Sequence, residues 1–152
     1  MDTAIRILDA NLNRAREGLR VLEDVARFSL GRQDLCTRIK DLRHQVGHQV
    51  GHTMEINAAP DALRLLASRD TPGDVGTSVT TPTEGERASL ADVATAAAKR
   101  TQEALRSCEE AAKALGMAAT TFERARYEAY ELERLVVLAM GAWCARRQFN
   151  LC

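Results

Sequence analysis

Apolar side chains recur with helical spacing along most of the chain. Between residues 3 and 30 they lie alternately four and three positions apart, which is typical of one amphipathic helix. Similar patterns over 34–50, 90–115 and 122–147 predict three more long helices, and residues 62–68 add a short one. Because long alternating segments are lacking, we expect a single all-α domain over 1–152, a helical bundle of about four long helices.

Turn-forming and capping residues set the expected helix ends. Gly31 and Gly116 follow the first and third helices, where glycine can adopt the left-handed conformation that ends a helix. Polar side chains that precede a helix can accept hydrogen bonds from its first backbone N–H groups. Three residues are expected to do so: Asp34, Ser89 (with Asp92) and Thr120 (with Glu123).

One long stretch, at about 67–88, lacks helical spacing and is rich in Gly, Pro, Thr and Asp, with a strand considered only around Val79. Irregular stretches of this length inside a domain are usually functional, and a mobile linker is the alternative. Within it, RDTPGDVGT (69–77) combines a guanidinium, two carboxylates and glycines whose N–H groups can approach a phosphate. The alternative is a turn-rich connector whose Asp and Thr side chains bond their own backbone.

Composition narrows the classes of partner. The chain carries 21 basic and 21 acidic side chains, and only 4% of its residues are aromatic. No overall positive charge is available to attract nucleic acid or a membrane surface, and no stacking platform for single strands is expected. With no apolar run of spanning length and four widely spaced cysteines, the sequence predicts a cytoplasmic protein with reduced thiols.

Polar residues line one flank of the first helix. On a helical wheel, Glu23 and Asn11 fall at the two edges of the apolar stripe, where a polar group needs a partner or a ligand. Asp9, Arg16 and Arg20 lie on the same flank as Glu23. The alternative interpretation is a ladder of exposed ion pairs that stabilises the helix only slightly.

All three histidines lie in RHQVGHQVGH (43–52), each four residues after the last. Two of them could chelate one metal, but the third lies too far along the helix to join easily. The zinc-protease pattern also fails, because Gln45 stands where it requires glutamate. A histidine metal site is therefore not expected, and His44, beside Arg43, is the one histidine considered for catalysis or binding.

Several long motifs are similar to those of a known family. The chain resembles, from about residue 4 to residue 134, the single-function hydroxymethylpyrimidine phosphate kinase that is often fused in front of thiamine-phosphate synthase. The resemblance implies that the chain is an ATP- and Mg²⁺-dependent phosphomethylpyrimidine kinase of thiamine biosynthesis, which converts hydroxymethylpyrimidine phosphate to its diphosphate. The matching stretches are RILDANLNRAREGLRVLEDVARF (6–28), RH (43–44), SRDTPGDVGTSVTTPTE (68–84), AAAKRTQEALRSCEE (96–110) and FERARYEAYELE (122–133).

The resemblance also implies catalytic candidates, with roles assigned by residue type. Asp70 or Asp74 would hold Mg²⁺, since magnesium prefers carboxylate and phosphate oxygens. Glu23 or His44, with Asp9 as a further candidate, would orient the substrate or accept its hydroxyl proton.

A larger set is expected to bind substrate or phosphate. Arg69, Lys99 and Arg106 would bind phosphate groups, because phosphoryl transfer depends mainly on positioning and charge stabilisation. Asn11 would pair with the edge of the aminopyrimidine. The remaining candidates are Asp9, Arg16, Arg20, Arg43, Gly76, Thr77, Glu103, Arg126 and Tyr127.

Two other functions remain open. One is a non-catalytic module that binds the pyrimidine phosphate and is attached to thiamine-phosphate synthase. The other is a helical adaptor that docks onto that synthase. The apolar segment VVLAMGAW (136–143) is interpreted as a surface for a second subunit, which would make a homo-oligomer, or for a following domain. Whether the chain is free-standing or excised from a synthase fusion is also open.

Overall fold

The structure is a computed structural model that describes residues 2–53, 61–79 and 86–149. Within these residues it is helical and has no strand, which confirms the predicted all-α class. None of the described helices is long and apolar enough to cross a membrane. The α-helices are α1 (Asp2–Asp24), α2 (Gln33–Thr53), α3 (Asp61–Ala67), α4 (Leu90–Ala114) and α5 (Thr120–Phe149).

The first helix changes its winding near its end. The sequence predicts one α-helix to residue 30, whereas the structure continues α1 as a π-helical segment, Val25–Ser29. The backbone N–H of Leu30 donates to the carbonyl of Val25, five residues earlier, at 3.1 Å. Gly31 then ends the segment with a φ of 61°, a left-handed conformation that favours glycine. Such π segments are often found beside functional sites.

The core lies between α1 and its neighbours, with α4 as the most extensive contact. Small residues make this contact close: a Cβ added to Gly18 would lie 2.3 Å from the hydroxyl oxygen of Thr101 and 2.7 Å from the carbonyl of Ala97. α5 packs mainly on α4, and α2 packs on α1 and α5. The predicted apolar stripe of the first helix is buried as expected, at Leu8, Leu12, Ala15, Leu19 and Leu22 in α1 and at Ala26 in the π-helical segment.

Some of the predicted helix ends are right and others are wrong. The Ser89 side chain accepts a hydrogen bond from the backbone N–H of Asp92 at 3.1 Å, as predicted. Asp34 is not a cap, because α2 already begins at Gln33 and the Asp34 carboxylate binds Arg32. Thr120 is the first residue of α5 and so does not precede the helix. Val79 has an extended backbone but pairs with no strand in the described part of the chain.

The apolar segment near the end of α5 is only partly available to a partner. Val136 and Met140 are buried, and the Ser29 hydroxyl lies 3.8 Å from the sulfur of Met140. Leu138 is exposed, so one side of the segment contributes to the core and another faces outward. Of the cysteines, Cys36 and Cys108 are free thiols, while the side chains of the other two lie outside the described residues.

Candidate functional site

The irregular loop is attached to α1 by a buried carboxylate. Asp9 has an exposed fraction of 5%, and its two oxygens accept hydrogen bonds from Nε and Nη2 of Arg69 at 2.5 and 2.9 Å. This bidentate geometry is the strongest arrangement for an arginine and a carboxylate. The hydrogen bond to Asp9 raises the pKa of the Arg69 guanidinium above its ordinary value. A second attachment joins Arg6, whose Nη2 donates to the backbone carbonyl of Asp70 at 2.8 Å.

Beyond Arg69 the loop is held by its own aspartates. Asp70 accepts a hydrogen bond from the backbone N–H of Gly73 at 3.0 Å, and Asp74 accepts one from Gly76 at 2.9 Å. The Thr77 hydroxyl donates to the Asp74 carbonyl at 2.8 Å. A Cβ at Gly73 would lie 2.3 Å from an Asp70 carboxylate oxygen, so a larger residue there would displace the Asp70 side chain from this turn. These are the bonds of a turn-rich connector, which here is also pinned to α1.

Between the loop and α1 lies a cleft of about 360 Å³, which we call the α1–loop cleft. Its charged lining residues are Arg6, Asp9, Glu17, Arg69, Asp70 and Asp74, two cations and four carboxylates. Asp74 Oδ2 receives no hydrogen bond from the described residues. In the same residues, no group of three or more His, Cys, Asp or Glu side chains is placed to hold a metal alone. Asp70 and Asp74, the residues predicted to hold a metal, therefore belong to no such group in the described part of the chain.

A second group of predicted residues lies further along the same side of α1. Glu23 is buried and accepts hydrogen bonds from Arg43 at 2.9 Å and from Arg20 at 3.5 Å. Arg16 lies beside α2, since a Cβ added to Gly47 would be 3.6 Å from its Nε. Glu23 is fourteen residues from Asp9, a distance of about 21 Å along a helix. The two carboxylates therefore occupy different ends of one polar line.

Of the three histidines, only His44 has a described side chain. His44 is exposed on α2, one residue from the Arg43 that binds Glu23. The side chains of His48 and His52 lie outside the described residues.

A third group surrounds a carboxylate that the sequence analysis did not select. Glu109 on α4 has an exposed fraction of 4%, yet three cations bind it: Arg106 at 2.8 Å, Lys113 at 3.0 Å and Arg126 at 3.2 Å. Burial alone would raise the pKa of Glu109, but hydrogen bonds from Lys113 and Arg126 outweigh it and hold the pKa below its ordinary value. The spacing of Arg106, Glu109 and Lys113, three and four residues apart beside buried Cys108, could have revealed the cluster.

The remaining predicted residues do not join the cleft. Lys99 binds Glu133 at 3.0 Å and links α4 to α5, while Glu103 is exposed. Asn11 is buried as its position on the helical wheel predicts, but its side-chain amide donates to the carbonyl of Ile7 at 2.8 Å. Asn11 is thus already satisfied within its own helix. Most of the predicted site is therefore divided among the α1–loop cleft, the Glu23 group and the Glu109 group.

Comparison with known proteins places the chain in a family. The family model described as "ThiD2 family" matches residues 6–135, which includes the cleft, the Glu23 group and the Glu109 group. The chain belongs to the ThiD2 family. No solved structure matches it.

Curated relatives of this ThiD2-family chain are named thiamine-phosphate synthase. That of Rhodopirellula baltica is 44% identical over 145 residues, which are 95% of this chain and 37% of the relative. Those of Nostoc punctiforme and Gloeobacter violaceus are 45% and 46% identical, and the matches cover 84% and 85% of this chain and 34% and 35% of theirs. The chain therefore spans about a third of the length of these relatives, and the comparisons support involvement in thiamine biosynthesis.

These names correct one prediction. Thiamine-phosphate synthase is a different enzyme from a phosphomethylpyrimidine kinase, so the assignment of that kinase to this ThiD2-family chain is wrong by this comparison. The names of the relatives give no support to ATP as a cofactor either. Involvement in thiamine biosynthesis, which the resemblance also implied, is retained.

Proposed function

We propose that this chain is a ligand-binding domain of thiamine biosynthesis that holds a phosphorylated aminopyrimidine, together with Mg²⁺, in the α1–loop cleft. The observation that carries the proposal is the bidentate pair of Asp9 and Arg69, which pins a glycine-containing loop over a cleft of about 360 Å³. A cleft of this volume is large enough to hold a small molecule, and its charged lining suits an ionic one.

The attachment of the loop to α1 favours phosphate binding, because less conformational entropy of the loop is lost when a ligand binds. Arg69 and Asp70 are already held on α1, so a ligand would not have to order that part of the chain. Arg6 and Arg69 both line the cleft, and exposed guanidinium donors suit phosphate oxygens. Arg69 keeps donors that its two bonds to Asp9 do not use.

The balance of charge supports a phosphate that arrives with a metal. Four carboxylates and two arginines line the cleft, so a bare phosphate dianion would meet net negative charge. Mg²⁺ usually binds through one or two carboxylates together with phosphate oxygens and water, and it would offset that repulsion. Asp70 and Asp74 are the residues that would hold it, and the unused oxygen of Asp74 fits this role.

The curated relatives are about three times as long as this chain, which supports a partner region for it. Because the chain covers only 34% to 37% of the three synthases named above, we propose that it works beside a thiamine-phosphate synthase region, supplied by the same or another polypeptide. Binding a pyrimidine phosphate would then place this ligand near an enzyme of the same biosynthesis.

Calorimetric titration with hydroxymethylpyrimidine phosphate, with and without Mg²⁺, tests the proposal. We expect saturable binding that needs Mg²⁺, and about tenfold weaker binding for Arg69→Gln, which loses a charge-assisted hydrogen bond. Arg134→Gln is the matched control, because Arg134 is an exposed arginine on α5 that binds Glu131 in its own helix. The unphosphorylated pyrimidine should not bind.

Two results would contradict this function. Phosphorus NMR of the same mixture with ATP should show no new phosphate ester, and the appearance of a diphosphate would exclude a binding-only role. The absence of pyrimidine phosphate binding by the folded protein would instead favour the helical adaptor.

A further inference from the structure

A second cleft lies between α2 and α5, and we call it the α2–α5 cleft. Its volume is about 530 Å³, and it shares no lining residue with the α1–loop cleft. Each helix contributes four lining residues at positions i, i+3, i+4 and i+7, beginning at Arg38 on α2 and at Thr121 on α5. Residues with this spacing share one face of a helix, so one face of each helix borders the cleft. None of them is among the residues that the sequence predicts for the site.

One ion pair joins the two walls of the α2–α5 cleft. Nη2 of Arg38 donates a hydrogen bond to Oε1 of Glu128 at 2.6 Å, and this bond links α2 to α5. The two charges of this pair compensate each other. Leu42 and Ala125 also line the cleft, and they are buried, so the floor between the two helices is apolar. The walls and the floor are therefore in place without a ligand.

Two further charges of opposite sign line the cleft and are not paired. Asp41 lies three residues after Arg38 on α2, and Arg124 lies four residues before Glu128 on α5. Neither side chain forms an ion pair or a hydrogen bond with another described residue. The same holds for two neutral polar side chains of the lining, Gln45 and Thr121. A carboxylate and a guanidinium that share a cleft without binding each other leave an acceptor and a donor for a molecule between them.

The charges of the lining favour a ligand that carries both signs. Two arginines and two carboxylates line the α2–α5 cleft, so its formal charge is balanced. A phosphate ester would meet Arg124 but would also meet the unpaired carboxylate of Asp41, which repels it. A molecule with one anionic and one cationic group can bind both residues at once and adds no net charge to the cleft.

We infer that the α2–α5 cleft binds a small zwitterion, an α-amino acid with an aliphatic side chain. The guanidinium of Arg124 donates hydrogen bonds to the carboxylate of the ligand, and the carboxylate of Asp41 accepts one from its ammonium group. The aliphatic side chain of the ligand lies over Leu42 and Ala125. This inference goes beyond the proposed function, because it concerns another cleft and a ligand with neither phosphate nor Mg²⁺.

Three related compounds test the two charge contacts separately. Leucine carries both charges, leucinamide lacks the carboxylate, and 4-methylpentanoate lacks the ammonium group. Each is titrated near neutral pH into the isotope-labelled full chain in EDTA, and the backbone amide signals are followed by NMR. We expect leucine to shift signals of α2 and α5 saturably. The other two compounds should bind about tenfold more weakly, because each lacks one charge-assisted hydrogen bond.

Two variants assign the contacts to single residues. Arg124→Gln should weaken leucine binding by about tenfold and remove the preference for leucine over leucinamide. Asp41→Asn should instead remove the preference for leucine over 4-methylpentanoate. A general loss of structure would not change one preference and keep the other. Arg100→Gln is the matched control, because Arg100 is an exposed arginine on α4 outside the cleft and forms no ion pair with a described residue.

Three results would overturn the inference. They are the absence of saturable leucine binding, the persistence of both preferences in the two variants, and an equal loss of leucine binding in the Arg100→Gln control. Because leucine carries no phosphate and the titration contains no Mg²⁺, none of these results bears on ligand binding in the α1–loop cleft.

Discussion

The two sides of α1 show how one helix serves packing and charge at once. On the side that faces α4, Gly18 allows contact with Thr101 and Ala97, and the neighbouring Leu19 is completely buried. On the other side, Asp9 and Glu23 are equally buried but are covered by arginines from the loop and from α2. The apolar side gains stability from exclusion of water, whereas on the polar side each buried carboxylate is compensated by an arginine.

The largest expected effect is on the apolar side. Leu19→Ala should lower the free energy of unfolding by about 3 kcal/mol, because it removes a fully buried side chain and leaves a cavity. Urea denaturation followed by circular dichroism measures this change. Ile7→Ala, at a position with 44% exposure on the same helix, is the control and should cost less than about 1 kcal/mol. Equal losses would mean that the two positions contribute equally to the core.

A close approach of backbones should be nearly as sensitive. Gly18→Ala should lower the free energy of unfolding by about 2 kcal/mol, since the added Cβ meets a backbone carbonyl that cannot rotate away. Gly141→Ala is the matched control within α5, where an added Cβ meets nothing within 4 Å. It should stabilise the protein by up to about 1 kcal/mol through helix propensity. Thermal unfolding of both variants measures these changes in stability. A stabilised Gly18→Ala protein would contradict the packing described for α1 and α4.

On the polar side, the expected change is local rather than global. Asp9→Asn should free the loop, because an amide cannot accept two charge-assisted bonds from Arg69. Hydrogen exchange measured by mass spectrometry should then be faster in residues 69–77, with the helices unaffected. Asp41→Asn, an exposed position on α2, serves as the control. Unchanged exchange in the loop would show that Asp9 does not hold it.

The smallest expected effect is the pH dependence of the stability that the buried carboxylate Glu109, on α4, contributes. Because the pKa of Glu109 is lower in the folded protein, its contribution to stability is present above the ordinary value of 4.5 and is lost as the pH falls through the lowered value. The difference in unfolding free energy between the unmodified protein and Glu109→Gln should therefore shrink below about pH 4.5. Denaturant titrations between neutral pH and pH 3 measure it. A difference that grows on acidification would contradict the assigned sign.

The burial of a candidate site residue could be predicted only where it does not depend on an ion-pair partner far away in the chain. Glu23 was correctly expected at the edge of burial, because its position on the wheel depends only on α1 itself. Asp9 was expected further out on that flank, yet it is as buried as Glu23 because Arg69, sixty residues away, covers it. Glu109 was missed although Arg106 and Lys113 lie three and four residues from it in the same helix, and only the fold shows that Arg126 from α5 completes the group. The roles of these residues in binding stay predictions.

By itself, the sequence determined the all-α class, the four long helices, the apolar stripe of α1 and the helix ends at Gly31, Ser89 and Gly116. These features depend on spacing within one helix or on a few adjacent residues, so local patterns contain the information. Only the tertiary structure decided how the predicted site residues are divided into three groups. It also decided that Arg69 binds and covers Asp9, and that Arg126 joins the cations around Glu109. These depend on which helices pack together, and that choice reflects the burial of apolar surface over the whole chain rather than any single motif.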